Sequence, residues 1–475
     1  MADKSTLLSQ NQTADETSLK YMLKLAAPVV VTNISFTIMQ FVNRFMVSRL
    51  GTDALAAVLP AGMVSFLPAS FIVGVMTSVN TFVSQSMGRG EKKDCSNYCW
   101  QMIYIGLAYF AIVIAIMWPA APWIFRMMGH EPAVADMEVI YFRIMLYAQM
   151  LGVFIWSSSQ FFIGVHRPIV TMYAAICAQA VNIGANYLLI YGKFGFPQMG
   201  IAGAGWGTFI GIAVGAAIRM TLFLNGDTNR TFKCRQATNI DLAKMKDLLK
   251  VGLPAGFSLM VNISLWGVIL FALIGQFGKE SLAATSAVFS WINVSVMPVV
   301  GIGTALTAAV GKAIGEGRKD MVLKQTSVCL KVALFYMGII GLCFFVFRNS
   351  LMGFWSSDDK VIQAGVNILI FAAIFQVFDA ATIIYSGSLH GAGDTVWLAI
   401  VSSLGDIVIL GLGGFIIVKF FPQIGSSGPW IAATLSIITM GLANRWRFKS
   451  NVWMKMDLFK RRAVGVPVEI EAVVE

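Results

Sequence analysis

Charged residues are scarce in this 475-residue chain: Asp, Glu, Lys and Arg make up 12% of it, against roughly 25% in a typical soluble protein. Histidine occurs three times and cysteine six times. Each shortage excludes something. With 57% hydrophobic residues, so little charge fits neither a disordered chain nor the surface of an ordinary soluble enzyme. His130, His166 and His390 stand apart from one another and from any Ser or Cys at catalytic or metal-binding spacing, which removes the usual acid–base and nucleophilic constellations. Cys95 and Cys99 lie one helical turn apart, but no second pair or nearby His completes a metal site. These two, with Cys177, Cys234, Cys329 and Cys343, read as small apolar fillers. The chain has no GxxxxGK[ST] phosphate loop, so it is not expected to hydrolyse ATP itself.

What the sequence has is long apolar runs. Residues 1–20 are polar and carry no apolar core, so they are no signal peptide. Twelve stretches follow, near 23–49, 55–86, 97–121, 138–163, 168–192, 200–224, 249–275, 281–313, 323–349, 361–388, 395–420 and 425–445. At about 1.5 Å per residue each is long enough to cross roughly 30 Å of hydrocarbon. Most are interrupted by Gly, Pro or a polar residue, as in bundle helices around a cavity. The short alternating segments of a β-barrel are missing. The fold expected is an all-α integral membrane protein of twelve transmembrane helices.

The net charge of +11 would suggest nucleic acid in a soluble protein; in a membrane protein it reports orientation. An even number of spans puts both termini on one side, and 26 of the 35 Lys and Arg fall on that side. Both termini are therefore expected in the cytoplasm, with the lipid bilayer as surroundings and no nucleic-acid partner.

The longest internal linker, 225–248, is polar and basic and divides the chain into a six-helix N-lobe (23–224) and a six-helix C-lobe (249–445). Tails at 1–22 and 446–475 flank them. The halves repeat. Gly51, Leu55, Gly74, Gly88 and Gly90 match Gly278, Leu282, Gly301, Gly315 and Gly317 at a constant offset of 227, and Gly164 matches Gly391. Parallel repeats of this kind are a transporter architecture, with the substrate near the midplane.

A charge at mid-bilayer costs about 2.5–3.5 kcal/mol on insertion scales, so each one calls for a reason. Helix 10 carries Asp379, with Gln376, Thr382 and Ser386 at helical spacing, and helix 11 carries Asp406. On helix 1, Asn33, Thr37, Gln40 and Arg44 make one stripe, with Asn43 beside it. Helix 5 presents Gln179, Asn182 and Asn186; helix 7 presents Ser258 and Asn262. Asn33, Gln40 and Gln179 read equally well as groups that only bond neighbouring helices. No basic residue lies near Asp379 in sequence, which favours a cation or proton site over a structural ion pair. Arg44 reads two ways: it snorkels at the outer end of helix 1, or it is a fixed cation facing a cavity.

These residues resemble the multidrug and toxic compound extrusion (MATE) family, NorM-type branch. The resemblance rests on LKLAAPVV, RLGTDALAAV and VSQSMGRGE in the first two helices, NIGANYLLIYGKFGFPQMGIAGAGWGT across helices 5 and 6, and FDAATIIYSGSLHGAGDT at helix 10. It spans about residues 20–445. It implies a V-shaped pair of lobes that alternates between inward- and outward-open states and expels drugs and toxins, mainly organic cations, in exchange for Na⁺ or H⁺. No other cofactor is implied, and a functional monomer is expected. Asp379 falls on the family's C-lobe acid and Asn182 on its N-lobe Asn. Three positions depart: the usual helix 1 acid is Asn43, the helix 5 acid is Asn186, and the helix 7 Glu is Asn262. An Asn carbonyl ligates Na⁺ but takes up no proton, so coupling is expected through the C-lobe. Asp379 is its centre, Asp379 with Asn262 the candidate Na⁺ ligands, and Asp406 a compensating carboxylate. A pocket lined by aromatics such as Trp156, Phe161, Trp266 and Trp291 would suit such cargo. The alternatives are an exporter or flippase of anionic lipid-linked or organic-anion substrates, which Arg44 favours, and a membrane scaffold or receptor without transport.

Overall fold

The computed structural model describes residues 16–459, and no strand occurs among them. Twelve long helices follow in order: α1 Leu19–Ser48, α2 Thr52–Gly88, α3 Lys92–Met127, α4 Pro132–Gly164, α5 Pro168–Tyr191 and α6 Gly200–Leu224. Then come α7 Leu242–Gly275, α8 Lys279–Gly315, α9 Lys319–Val346, α10 Asp359–Ala392, α11 Thr395–Phe420 and α12 Ser427–Lys449. Among the described residues, α1 to α11 are long and apolar enough to cross a membrane. The helix over the twelfth predicted span, α12, falls below that apolarity. It carries Trp430, Thr434, Ser436 and Asn444 on buried positions and Arg445, Arg447 and Lys449 at its end, and packs on α10.

Several helices overrun the expected spans, because polar residues cap them beyond the apolar run. The Ser18 hydroxyl accepts from the Tyr21 amide and starts α1 four residues early. Asp241 accepts from the amides of Ala243 and Lys244 and starts α7 at Leu242. The linker is therefore short of extended chain: it holds a helix over Gly226–Phe232 and a 3₁₀ turn over Cys234–Gln236, and α7 takes its end. Residues 1–15 and 460–475, including the tail cations Lys4, Lys460, Arg461 and Arg462, lie outside the described residues.

Helices α1 and α2 meet α7 and α8 along the seam between the lobes. At the end of the bundle holding Glu16 and Phe459 the seam is sealed. There Asn80 donates to the Thr304 carbonyl, Thr81 to that of His390 and Gln85 to that of Gly391. Val29, Ile163 and Ala308 close an apolar contact between the lobes, and Met22, Leu25 and Ala26 of α1 join the C-lobe core beside Ile302 and Leu306.

Candidate functional site

Each lobe contains a parallel helix pair held in register by polar bonds. In the C-lobe it is α7 and α11. Thr395 donates to the Val251 carbonyl (2.6 Å), the Ser258 and Ser402 hydroxyls bond each other, and the Asn262 amide donates to Asp406 Oδ2 (2.9 Å). All three pairs are separated by 144 residues, as two parallel helices of equal rise require. In the N-lobe it is α1 and α5: Asn186 donates to Asn43 Oδ1 (2.8 Å) and Tyr191 to the Met46 carbonyl (2.8 Å), at separations of 143 and 145.

The two pairs differ in chemistry and in backbone. The N-lobe pair carries amides: Asn186 also reaches Asn182 Oδ1 (3.3 Å), and Asn182 donates to the Gly207 carbonyl of α6 (3.3 Å). Asn186 Oδ1 is buried without a bond among the described residues. The C-lobe pair carries a carboxylate. Asp406 is fully buried, and its Oδ1 accepts from the indole of Trp266 (3.1 Å). Among the described residues no Lys, Arg or His pairs with it. It lies at the start of a π-helical stretch, Gly405–Gly413, which touches a second one in α7, Leu265–Ile269. π-helical turns inside α-helices are frequent at functional sites. Their counterparts α1 and α5 are regular.

Asp379 sits elsewhere in the same lobe. One turn before it, Gln376 is buried and donates to Ser295 of α8 (2.8 Å); one turn after it, Ile383 packs on Gly303 of α8. The 3 and 4 spacing places Asp379 on this α8-facing side. It is half-buried, with no hydrogen bond or ion pair among the described residues. Asn262 spends its amide on Asp406 rather than Asp379, and no three His, Cys, Asp or Glu converge as metal ligands among the described residues. Gln40 and Arg44 are exposed, Arg44 four residues before the end of α1.

Some groups gave little sign in the sequence. Trp266 is the aromatic that meets a carboxylate; Phe161 is buried in the N-lobe core, and Trp291 packs on Phe354 and Trp355. Glu138, fully buried, bonds His130 Nδ1 (2.8 Å), eight residues away and without a motif. Arg219 of α6 is 3% exposed, and its guanidinium donates to the carbonyls of Gly215 and Thr171.

Comparison with known proteins places this arrangement. The MatE family model matches residues 28–188 and again 254–412, the two repeats. "Probable multidrug resistance protein NorM" of Mesorhizobium japonicum is 27% identical over 440 residues, covering 90% of this chain and 93% of that one. The protein so named from Chromobacterium violaceum is 28% identical over 432 residues, covering 88% and 90%. Among solved structures, one of MATE in the straight conformation superposes with a TM-score of 0.83 at 19% identity, over 92% of this chain and 97% of that one. A MOP superfamily transporter from Pyrococcus furiosus does so at 0.82 and 20%, again over 92% and 97%. These structures share the fold. With both repeats matched by the family model, the chain belongs to the MatE family.

Proposed function

We propose that this chain is a secondary antiporter that expels amphipathic, mainly cationic, small organic molecules in exchange for Na⁺ or H⁺. It works by alternating access, as a monomer in a bacterial inner or plasma membrane with both termini in the cytoplasm. The observation that carries this reading is the pair of C-lobe carboxylates, Asp379 and Asp406, set in apolar helices without a basic partner among the described residues. An unpaired carboxylate at that depth is costly unless a cation or proton visits it. Asp379, which has no competing donor, is the group that exchanges cation for cargo. Asp406, with donors from Asn262 and Trp266, is a fixed negative centre elsewhere in the same lobe. One carboxylate that binds ion or cargo, but not both, gives each a different affinity for the two lobe arrangements, and that difference is what couples them. The names of the NorM relatives support drugs as cargo.

The test is efflux of cationic and anionic dyes from proteoliposomes under separately imposed Na⁺ and pH gradients. Cationic dye efflux is expected to follow one of the two gradients and to be lost in Asp379→Asn. Undiminished efflux in that variant would remove Asp379 from the centre of coupling, and a dye panel indifferent to both gradients would sink antiport altogether. The second reading, an exporter of anionic lipid-linked or organic-anion substrates, draws on Arg44 and on the buried Arg219, which has carbonyl partners only. Efflux of the anionic dyes alone, abolished in Arg44→Ala, would establish it instead.

A further inference from the structure

The two ends of the described chain each cross to the opposite side of the lobe seam. Glu16, just before α1, places its carboxylate on Lys312 at the end of α8 (2.7 Å) and on Arg318 in the following turn (3.2 Å). Its backbone carbonyl accepts from Gln325 of α9. Just behind, the Tyr21 hydroxyl bonds His166 at the α4–α5 corner (2.9 Å), and His166 Nε2 donates to the Ala308 carbonyl of α8 (3.1 Å). The other end does the reverse. After α12 the chain is anchored in the C-lobe by Trp453, which stacks on Phe448 and donates to its carbonyl. It then runs past Gly393, where Leu458 packs, and inserts Phe459 into the N-lobe core. Phe459 is 6% exposed and meets Phe82 and Tyr98 edge-on, with ring centroids 6.0 and 6.4 Å away. Arg89, at the end of α2, ion-pairs with Asp457 (3.1 Å) and lies over the Phe459 ring at 4.1 Å.

From this reciprocal crossing we infer that residues 16–21 and 453–459 form a releasable clamp across the seam, with Phe459 as its plug. The lobes part at this end only after Phe459 leaves the Phe82–Tyr98 cleft and Glu16 leaves Lys312 and Arg318. Both holds are of kinds that let go whole. One is a single aromatic ring in a cleft, and the other is a partly exposed ion-pair cluster whose screening by water makes it individually weak. The contacts that cross the seam, Phe459 with Phe82 and Tyr98, Asp457 with Arg89 and Glu16 with Lys312 and Arg318, exist only while it is closed, so each one shifts the population toward that state. The clamp rests on the alternating-access reading.

The test is the distance between spin labels on exposed positions of this end, at Lys93 in the N-lobe and Lys324 in the C-lobe, in the full chain reconstituted without cargo or gradient. Wild type should give one short population. Phe459→Ala should add a longer one, raising the open-to-closed ratio at least about tenfold, because truncating a buried Phe forfeits packing present only in the clamped state. Phe459→Leu, which keeps apolar volume, should stay near wild type, and Glu16→Gln should open the seam to a smaller degree. Unchanged distances in Phe459→Ala and Glu16→Gln, with helical content intact, overturn the clamp. Should Phe459→Ala fail to fold, Asp457→Asn removes the Arg89 pair at a part-exposed site, and an unchanged distribution there overturns the clamp equally. Lobe separation is read without transport, so this outcome and that of the dye experiment are independent.

Discussion

His166 sits in the left-handed backbone region, at φ 60°, in the corner between α4 and α5, and its ring spans the lobe seam. Because the Ala308 carbonyl only accepts, Nε2 carries the proton, and Nδ1 is left to accept from Tyr21. Burial pushes its pKa down to about 4, with the charge of Lys312 acting in the same direction and the Ala308 bond and Glu16 opposing. A histidine kept neutral in this way favours the folded chain fully above its ordinary value of 6.5. It loses that contribution as pH falls toward 4, where the unfolded chain binds a proton that the folded one refuses. Glu16 behaves differently. Burial alone would raise its pKa, but Lys312, then Arg318, hold it below 4.5, so its contribution persists until the pH drops below about that value. Thermal unfolding of the detergent-solubilised protein between pH 7.5 and 5 should therefore show a loss of stability that His166→Asn reduces. Asn tolerates the same backbone and does not titrate; an identical pH profile in that variant would remove His166 as the cause. At this scale the sequence was legible where side chains repeat along one helix, as with Gln376 and Asp379. It was silent where partners come from far along the chain, as with Trp266 and Asp406 or His166 and Ala308.

At the scale of helices, the repeat found as a 227-residue offset becomes a set of mirrored contacts. A Cβ placed on Gly164 would press on Val83 and the Asn80 carbonyl; one on Gly391 would press on Val310 and the Thr307 carbonyl. Both partners are shifted by the same 227 residues. Gly88 and Gly315, matched in sequence, face each other across the seam. These glycines are therefore packing positions where two helix backbones close on each other, which explains why they recur in both halves. Gly164→Ala and Gly391→Ala should each cost about 1–3 kcal/mol by overpacking, with nearly equal losses of thermal stability measured in parallel. A loss at one position alone would mean that the mirrored contacts are not equivalent. The apolar runs located the helices because a membrane span needs length and apolarity and little else. They missed the helix ends set by Ser18 and Asp241, where capping rather than lipid decides. They also missed the two π-helical stretches, since Leu265–Ile269 and Gly405–Gly413 differ from ordinary helix only in how the backbone bonds. Those stretches break the symmetry of the repeat: α7 and α11 depart from regular helix beside Asp406, whereas α1 and α5 stay regular beside their amides.

For the molecule as a whole, the mirrored helices meet at one end in a seam so close that Ser84 and Gly311, again 227 residues apart, oppose each other. A Cβ at Gly311 would lie 2.9 Å from the Ser84 Cβ, about 0.6 Å short of the lower end of the roughly 3.5–4.5 Å that a disulfide spans, so the two helices ease apart slightly to accept the bond. The described native cysteines are all free, and Cys95, Cys99, Cys234 and Cys329 are buried, so an introduced pair can be oxidised against a quiet background, with Cys177 checked by treating wild type alike. If transport requires this end to open, Ser84→Cys with Gly311→Cys should transport when reduced and stop when oxidised, and dithiothreitol should restore it. Each single variant should transport under both conditions. The logic separates a moving seam from a static one: a bond between two lobes that never part changes nothing, whereas a bond between lobes that alternate holds them in one arrangement and leaves the C-lobe carboxylates facing one side only. Full transport by the oxidised double variant, with the cross-link confirmed by mass spectrometry, would mean that cargo passes without separation of the lobes at this end. The mirrored seam would then be scaffold, and the functional asymmetry would reside wholly in the α7–α11 pair.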